Sequence, residues 1–158
     1  EGPTRVNDFR IIIDSREQEP WSFTYATLRR ALPAGDYSVD GLEGAVAVER
    51  KSLADFTRTV LHEFPRFAAE LDQLAQLPHA CIVVEADLDH VLRGQAADVL
   101  RGASPESLLG AAVHIQARFH VPVLWCGSRQ AARAFTDAYL RMVARETAAR
   151  AQGEGPDA

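Results

Sequence analysis

GDYSVDGLEGAVAVERKS, residues 35–52, carries two strand-like runs around a turn. Asp40-Gly41 signals a turn and Gly44 closes it, so the segment reads as a β-hairpin with a four-residue loop. With Asp40 opposite Ala45, the register sets Ser38 opposite Ala47 and Asp36 opposite Glu49. Directly opposed residues share a face, with Cβ atoms about 4.5–5.5 Å apart. Strand alternation then puts Tyr37, Val39, Val46 and Val48 on an apolar face, and Asp36, Ser38, Ala47, Glu49 and Lys51 on the other. Two carboxylates and a lysine converge at the open end of the hairpin. A slip of one residue would separate them.

Lys51 is the only lysine; the other sixteen of the seventeen Lys and Arg residues are arginine. Lysine is a compact point charge, whereas arginine is a planar fork. A site holding a water or a phosphate oxygen beside a metal calls for the first, although a chance survivor on a strand end reads the same. Two carboxylates brought close repel unless a cation lies between them. Hard oxygen ligands with room for water suit Mg²⁺ or Mn²⁺ better than zinc. With a lysine on the same face, this is equipment for metal-assisted hydrolysis of a phosphodiester. An ordinary solvated hairpin face with an acid–base pair has the same spacing, and the residues alone leave both readings open.

Outward from the hairpin, residues 9–14 (FRIIID) read as a buried strand ending in a carboxylate, and residues 15–32 as irregular chain. Ser52, with Asp55 three residues on, begins a helix running to about His62. Pro65 opens a second helix with Phe67, Leu71 and Leu74 on one face. HACIVVEA is a buried strand ending at Glu85. Asp87 caps a short helix, with Glu85 and Asp89 expected to be solvated. Residues 95–103 read as a polar loop, Ser104 caps a helix to about Phe119, VPVLWC is the last strand, and Ser128 starts a helix to about Ala149. The order implies an α/β fold, a mixed sheet covered by helices. Residues 1–8 are expected to be a flexible leader, 9–149 the domain and 150–158 a disordered tail.

At 158 residues and 47% hydrophobic, the chain can bury a real core. No apolar run is long enough to span a bilayer, and the N-terminus lacks a signal-peptide pattern, so no membrane association is expected. Cys81 and Cys126 sit in apolar runs, forming neither a zinc site nor a disulfide framework. They suit a reducing compartment: the cytoplasm of a prokaryote-like source, or the nucleus of a eukaryote. The net charge of −5 argues against coating nucleic acid non-specifically. It does not exclude a nuclease, because clustered carboxylates are what a metal site needs. Trp21 and Phe23 offer stacking surfaces for bases, but such aromatics serve more often as satellite core.

Gly35-Asp36-Tyr37, then Glu49-Arg50-Lys51-Ser52, then Asp55, resembles the GD…ERKxxxD signature of the XPF-type structure-specific endonucleases. Ile13-Asp14-Ser15-Arg16-Glu17 resembles their upstream VDxRE element, and all stand in the family's order. Val83 to Glu85, the PVLW strand and the terminal helix also resemble small stand-alone bacterial members, so the likeness covers residues 9 to 147.

The resemblance implies the restriction-endonuclease-like fold (PD-(D/E)XK), a mixed central sheet flanked by helices, with Asp36, Glu49 and Lys51 as its catalytic triplet. It implies that Asp36 and Glu49 bind Mg²⁺ or Mn²⁺, with the Arg50 main-chain carbonyl or a water completing the shell. Asp14 and Glu17 match acidic positions near the metal. Asp55 is a supporting carboxylate or only a helix cap. Arg16 and Arg50 contact DNA or hold ion pairs. The activity implied is that of a metal-dependent DNA endonuclease acting on branched, repair or recombination DNA. A catalytically weak scaffold that positions DNA or a partner nuclease is the alternative. Many relatives carry a tandem helix-hairpin-helix module after this domain, and no room for one follows here. A homodimer through the C-terminal helices is therefore expected, or a separate DNA-binding partner. Ala131, Ala134, Phe135, Ala138, Tyr139, Met142 and Val143 form the apolar stripe for it, although packing on the sheet explains such a stripe equally well.

Overall fold

Residues 9–153 are described by a computed structural model. Its centre is one six-stranded mixed sheet, ordered β2-β1-β3-β4-β5-β6. The strands are β1 (Ile11–Asp14), β2 (Thr27–Arg30), β3 (Tyr37–Val39), β4 (Val46–Lys51), β5 (His79–Val84) and β6 (Val123–Trp125). β1 runs antiparallel to β3 and β3 antiparallel to β4, while β1–β2, β4–β5 and β5–β6 are parallel. The β3–β4 register pairs Tyr37 with Val48, the register read from the turn.

That register sorts two cores. On one face Tyr37, Val39, Val46 and Val48, with Ile11, Ile13, Cys81 and Val83, pack under α6 (Arg129–Ala151) through Ala132, Leu140 and Val143. On the other, Ala47, Ile82 and Val84 pack under α1 (Leu53–His62), α2 (Phe64–Ala75) and α5 (Pro105–Phe119). Phe56, Phe67, Leu71, Leu74, Leu108 and Ile115 fill that second core and are almost fully buried. Both faces being covered, β4 and β5 carry continuous apolar runs rather than a polar alternate face.

Helix starts follow their caps. Ser52, Ser104 and Ser128 accept hydrogen bonds from the N–H groups of Asp55, Ser107 and Ala131. Asp87 caps the short α3 (Leu88–Leu92) through Asp89 N–H. Each such cap stabilises by about 1 kcal/mol.

Two segments depart from expectation. Residues 27–30 form the edge strand β2, not irregular chain. TLRR has no apolar face to betray it: it is held by its parallel ladder to β1, and its arginines guard an exposed edge. Residues 95–103 contain a one-turn helix, α4 (Ala97–Leu100), which buries Ala96 and Leu100 but is too short to show periodicity. The last helix extends to Ala151, into the stretch expected to be disordered. The leader 1–8 and residues 154–158 lie outside the described residues. No described helix is long and apolar enough to cross a membrane.

Gly35 enters β3 at φ +75°, and a Cβ there would sit 2.9 Å from Ala47 Cβ and 3.2 Å from the Val48 carbonyl oxygen. It must be glycine for two reasons, conformation and close approach. Gly35→Ala is expected to cost at least about 2 kcal/mol of stability. Urea denaturation of the purified variant checks this, and an unfolding free energy equal to the parent's would show that the turn relaxes freely.

Candidate active site

The open end of the hairpin lies where β4 runs out between β3 and β5. The Arg50 N–H donates to Asp36 Oδ2 at 2.8 Å, and the Asp36 N–H donates to the Val48 carbonyl at 2.9 Å. Asp36 is thereby fixed to β4 by both its main chain and its side chain. Within a strand, N–H and C=O of one residue share an edge. The Arg50 carbonyl therefore faces the β3 side, beyond Tyr37, the first residue of that strand. Lys51 Nζ lies 3.5 Å from Glu49 Oε1 and 5.1 Å from the centroid of the Phe67 ring on α2. A cation over an aromatic face gains about 0.5–2 kcal/mol, and Phe67 thus forms a floor under the lysine.

Burial pushes the Asp36 carboxyl up to about 6; the Arg50 N–H pulls it back and the nearby Glu17 charge adds to the rise. Burial likewise raises the Glu49 carboxyl well above the usual range, with the Asp36 charge the next cause and Lys51 opposing it. Two desolvated acids, each raised further by a neighbouring carboxylate, form a site short of positive charge. The donor set fits a small hard cation: two carboxylates and a main-chain carbonyl. Among the described residues no three acidic, His or Cys side chains form a ready-made metal cage. A divalent ion here would complete its shell with water, as Mg²⁺ commonly does.

The other predicted side chains have partners of their own beside this centre. Burial raises the Asp14 carboxyl, but Arg16 and the Leu32 N–H together hold it below its usual value. Arg16 grips Asp14 with two bonds, Nε to Oδ2 at 2.9 Å and Nη2 to Oδ1 at 3.1 Å, and the Leu32 N–H donates to Oδ1 at 2.8 Å. Asp14 therefore secures the turn after β1. Arg16 remains 71% exposed, open to an anion on its outer face. Asp55 faces Arg58 at 2.8 Å and caps through its main chain, so it acts at the helix start.

Arg50 is not a surface arginine. Its guanidinium is 8% exposed and pairs with Glu17 (Nε to Oε2, 3.0 Å; Nη2 to Oε1, 3.2 Å) and with Glu85 (Nη1 to Oε1, 2.6 Å). Of the two roles expected for it, ion pair or DNA contact, the geometry here is that of an ion pair, with the side chain occupied and buried. Glu17 also accepts from the Glu19 N–H; burial raises its carboxyl, and the Arg50 bonds more than offset that. Trp21 is 4% exposed and stacks on Tyr37 at 4.6 Å, which settles it as core rather than a platform for bases. Glu85, expected to be solvated, is instead buried against Arg50, Trp21 and Arg129.

One residue escaped the sequence reading altogether. Glu70, exposed on α2, lies near enough to add its charge to Glu49 and to Arg16. The signal was available: Glu70 follows Phe67 by three residues and shares its side of the helix.

The ERCC4 domain model matches residues 5–138. Solved structures share the fold, among them two of XPF. XPF from Aeropyrum pernix is 22% identical, covering 86% of this chain and 65% of that one, at a TM-score of 0.67. XPF from Aeropyrum pernix in complex with DNA is 19% identical, covering 87% and 66%, at 0.65. The chain spans about two thirds of the length of those two structures. No curated protein matches it. The mixed sheet flanked by helices is that of the restriction-endonuclease-like fold. With most of its length matched by one family model, the chain belongs to the ERCC4 domain family.

Proposed function

We propose that this domain is a Mg²⁺- or Mn²⁺-dependent DNA endonuclease acting on branched, repair or recombination DNA. The observation that carries the reading is the convergence of Asp36, Glu49 and Lys51 at one strand end. Asp36 and Glu49 would hold the ion, with the Arg50 carbonyl and water as remaining ligands. A bound ion would supply Lewis-acid polarisation of the phosphate and a lowered pKa for its water. Lys51 would orient the attacking water or take up charge on a phosphate oxygen, its ammonium set by Glu49 on one side and Phe67 on the other. Arg16, exposed at the rim, is the residue here best placed to meet the DNA backbone. The DNA complex of a structural relative supports that class of substrate. The complete acid, acid and lysine set favours catalysis over a scaffold role.

The net charge leaves DNA grip to a local surface or to a second chain. On α6, Ala132, Thr136, Leu140 and Val143 face the sheet, while Ala131, Ala134, Ala138 and Met142 face solvent. That outward stripe is what a second copy of the domain, or a separate DNA-binding partner, would cover.

Asp36→Asn and Glu49→Gln are each expected to abolish metal-dependent cleavage of labelled flap, fork and splayed-arm DNA while the protein stays folded. Near-parental cleavage by either variant would remove that residue from the centre. Lys51→Arg should also cut severely less, since a wider fork cannot replace an ammonium between Glu49 and the Phe67 ring. An arginine variant as fast as the parent would make the single lysine an accident of composition.

The raised carboxyls give a pH signature. A raised folded-state value favours the fold below the unfolded value, and that contribution is lost as pH rises through about 6 for Asp36. Asp14 and Glu17, held low, lose their contribution only at more acid pH, so they do not oppose the trend there. The metal-free melting temperature should therefore fall between about pH 5.5 and 7.5, and the rise caused by millimolar Mg²⁺ should be larger at the upper end. A thermal melt with the same metal response at both pH values would contradict a site where protons and metal compete.

A further inference from the structure

Glu85 stands one residue beyond β5, and it reaches the end of β4 twice. Its N–H donates to the Lys51 carbonyl at 2.9 Å, and its Oε1 accepts from Arg50 Nη1 at 2.6 Å. Its other oxygen accepts from Trp21 Nε1 at 2.9 Å and from Arg129 Nη1 at 3.3 Å. The carboxylate is 8% exposed, so both oxygens work in a poorly solvated setting where charged bonds are strong.

The consequence follows from strand alternation. The Arg50 side chain points to the α6 face, while Glu49 and Lys51 point to the face covered by α1 and α2. Any rotation of Arg50 about the strand would swing its two neighbours and move the N–H that Asp36 accepts from. Glu17 holds the same guanidinium from the loop after β1, and Trp21 extends the network to the first hairpin strand. Trp21 stacks on Tyr37, and its main-chain N–H donates to Tyr37 Oη at 2.9 Å. Tyr37 adjoins Asp36, so both strands that present a carboxylate are tied to one network.

We infer that Glu85 is a positioning residue for the candidate metal centre, acting through the Arg50 side chain and the Lys51 main chain to set Asp36, Glu49 and the Arg50 carbonyl. It rests on the reading of those groups as metal ligands. Partners that orient ligands in this way alter metal affinity without touching the metal.

The test is Mn²⁺ binding to the full chain, followed by the paramagnetic resonance of free Mn²⁺, together with cleavage of a labelled fork at saturating Mn²⁺. Glu85→Gln, which keeps the size but removes the charge, should raise the Mn²⁺ Kd about tenfold and leave the KM for DNA within about twofold of the parent's. A merely structural Glu85 would lower the melting temperature and leave the Mn²⁺ Kd of the folded protein unchanged, which overturns the inference. A changed KM with an unchanged Mn²⁺ Kd overturns it too. If Glu85→Gln does not fold, Glu85→Asp keeps the charge on a shorter arm and should still raise the Kd by at least about threefold. An unchanged Kd in that variant is again fatal. A parent protein that neither binds Mn²⁺ nor cuts removes the metal-centre reading and this inference with it. A parent that does both, beside an unaltered Glu85→Gln, removes this inference alone.

Discussion

The pairing of Tyr37 with Val48 is the constraint on which the site depends. It is a matter of register, and in a sheet buried on both faces register is strongly specified. Tyr37 and Val48 belong to the apolar core under α6, so a slip would bury Asp36 and Glu49 there and expel their hydrophobic neighbours. The same pairing brings Asp36 within reach of the Arg50 N–H and sends Glu49 and Lys51 together toward Phe67. Gly35 permits it by letting the chain pass close over Ala47. Acid chemistry and core packing are thus fixed by one geometric choice.

Around that hairpin the charges are divided by face. Asp36 and Glu49 are short of counter-charge, and burial leaves both with raised proton affinity. Directly behind them, Arg50 has two carboxylates, and Arg129 adds a second cation to the group. Buried ion pairs of this kind are weak sources of net stability, but breaking one by deleting a partner costs about 3–5 kcal/mol. The network is better understood as a rigid backing for the strand end than as a stabilising device. The electrostatic deficit sits in front of it, where a cation would enter.

Local rules carried much of this before any coordinates. Turn chemistry and period-two alternation gave the hairpin register, because both act over neighbouring residues. Serine caps placed the starts of three helices for the same reason. What escaped depends on partners distant in sequence. β2 exists through its ladder to β1 rather than through any pattern in TLRR. Glu85 looked like a solvated strand end, since nothing nearby in sequence announces Arg50, Trp21 and Arg129 as its partners. In the sequence Arg50 and Arg16 each fit an ion pair or a DNA contact. In the fold the first is buried in ion pairs, whereas the second both pairs with Asp14 and stays exposed. Asp14 and Asp55 match acidic positions in the motif, yet each carboxylate is taken up by a neighbouring arginine.

The register of one hairpin is proposed to build a cation site from Asp36 and Glu49. A crystal grown with Mn²⁺, with data collected at a wavelength that makes the ion's anomalous scattering visible, tests it most directly. One peak is expected about 2–2.3 Å from an oxygen of both carboxylates, with the Arg50 carbonyl beside it. A protein saturated with Mn²⁺ elsewhere, leaving Asp36 and Glu49 unliganded, would contradict it.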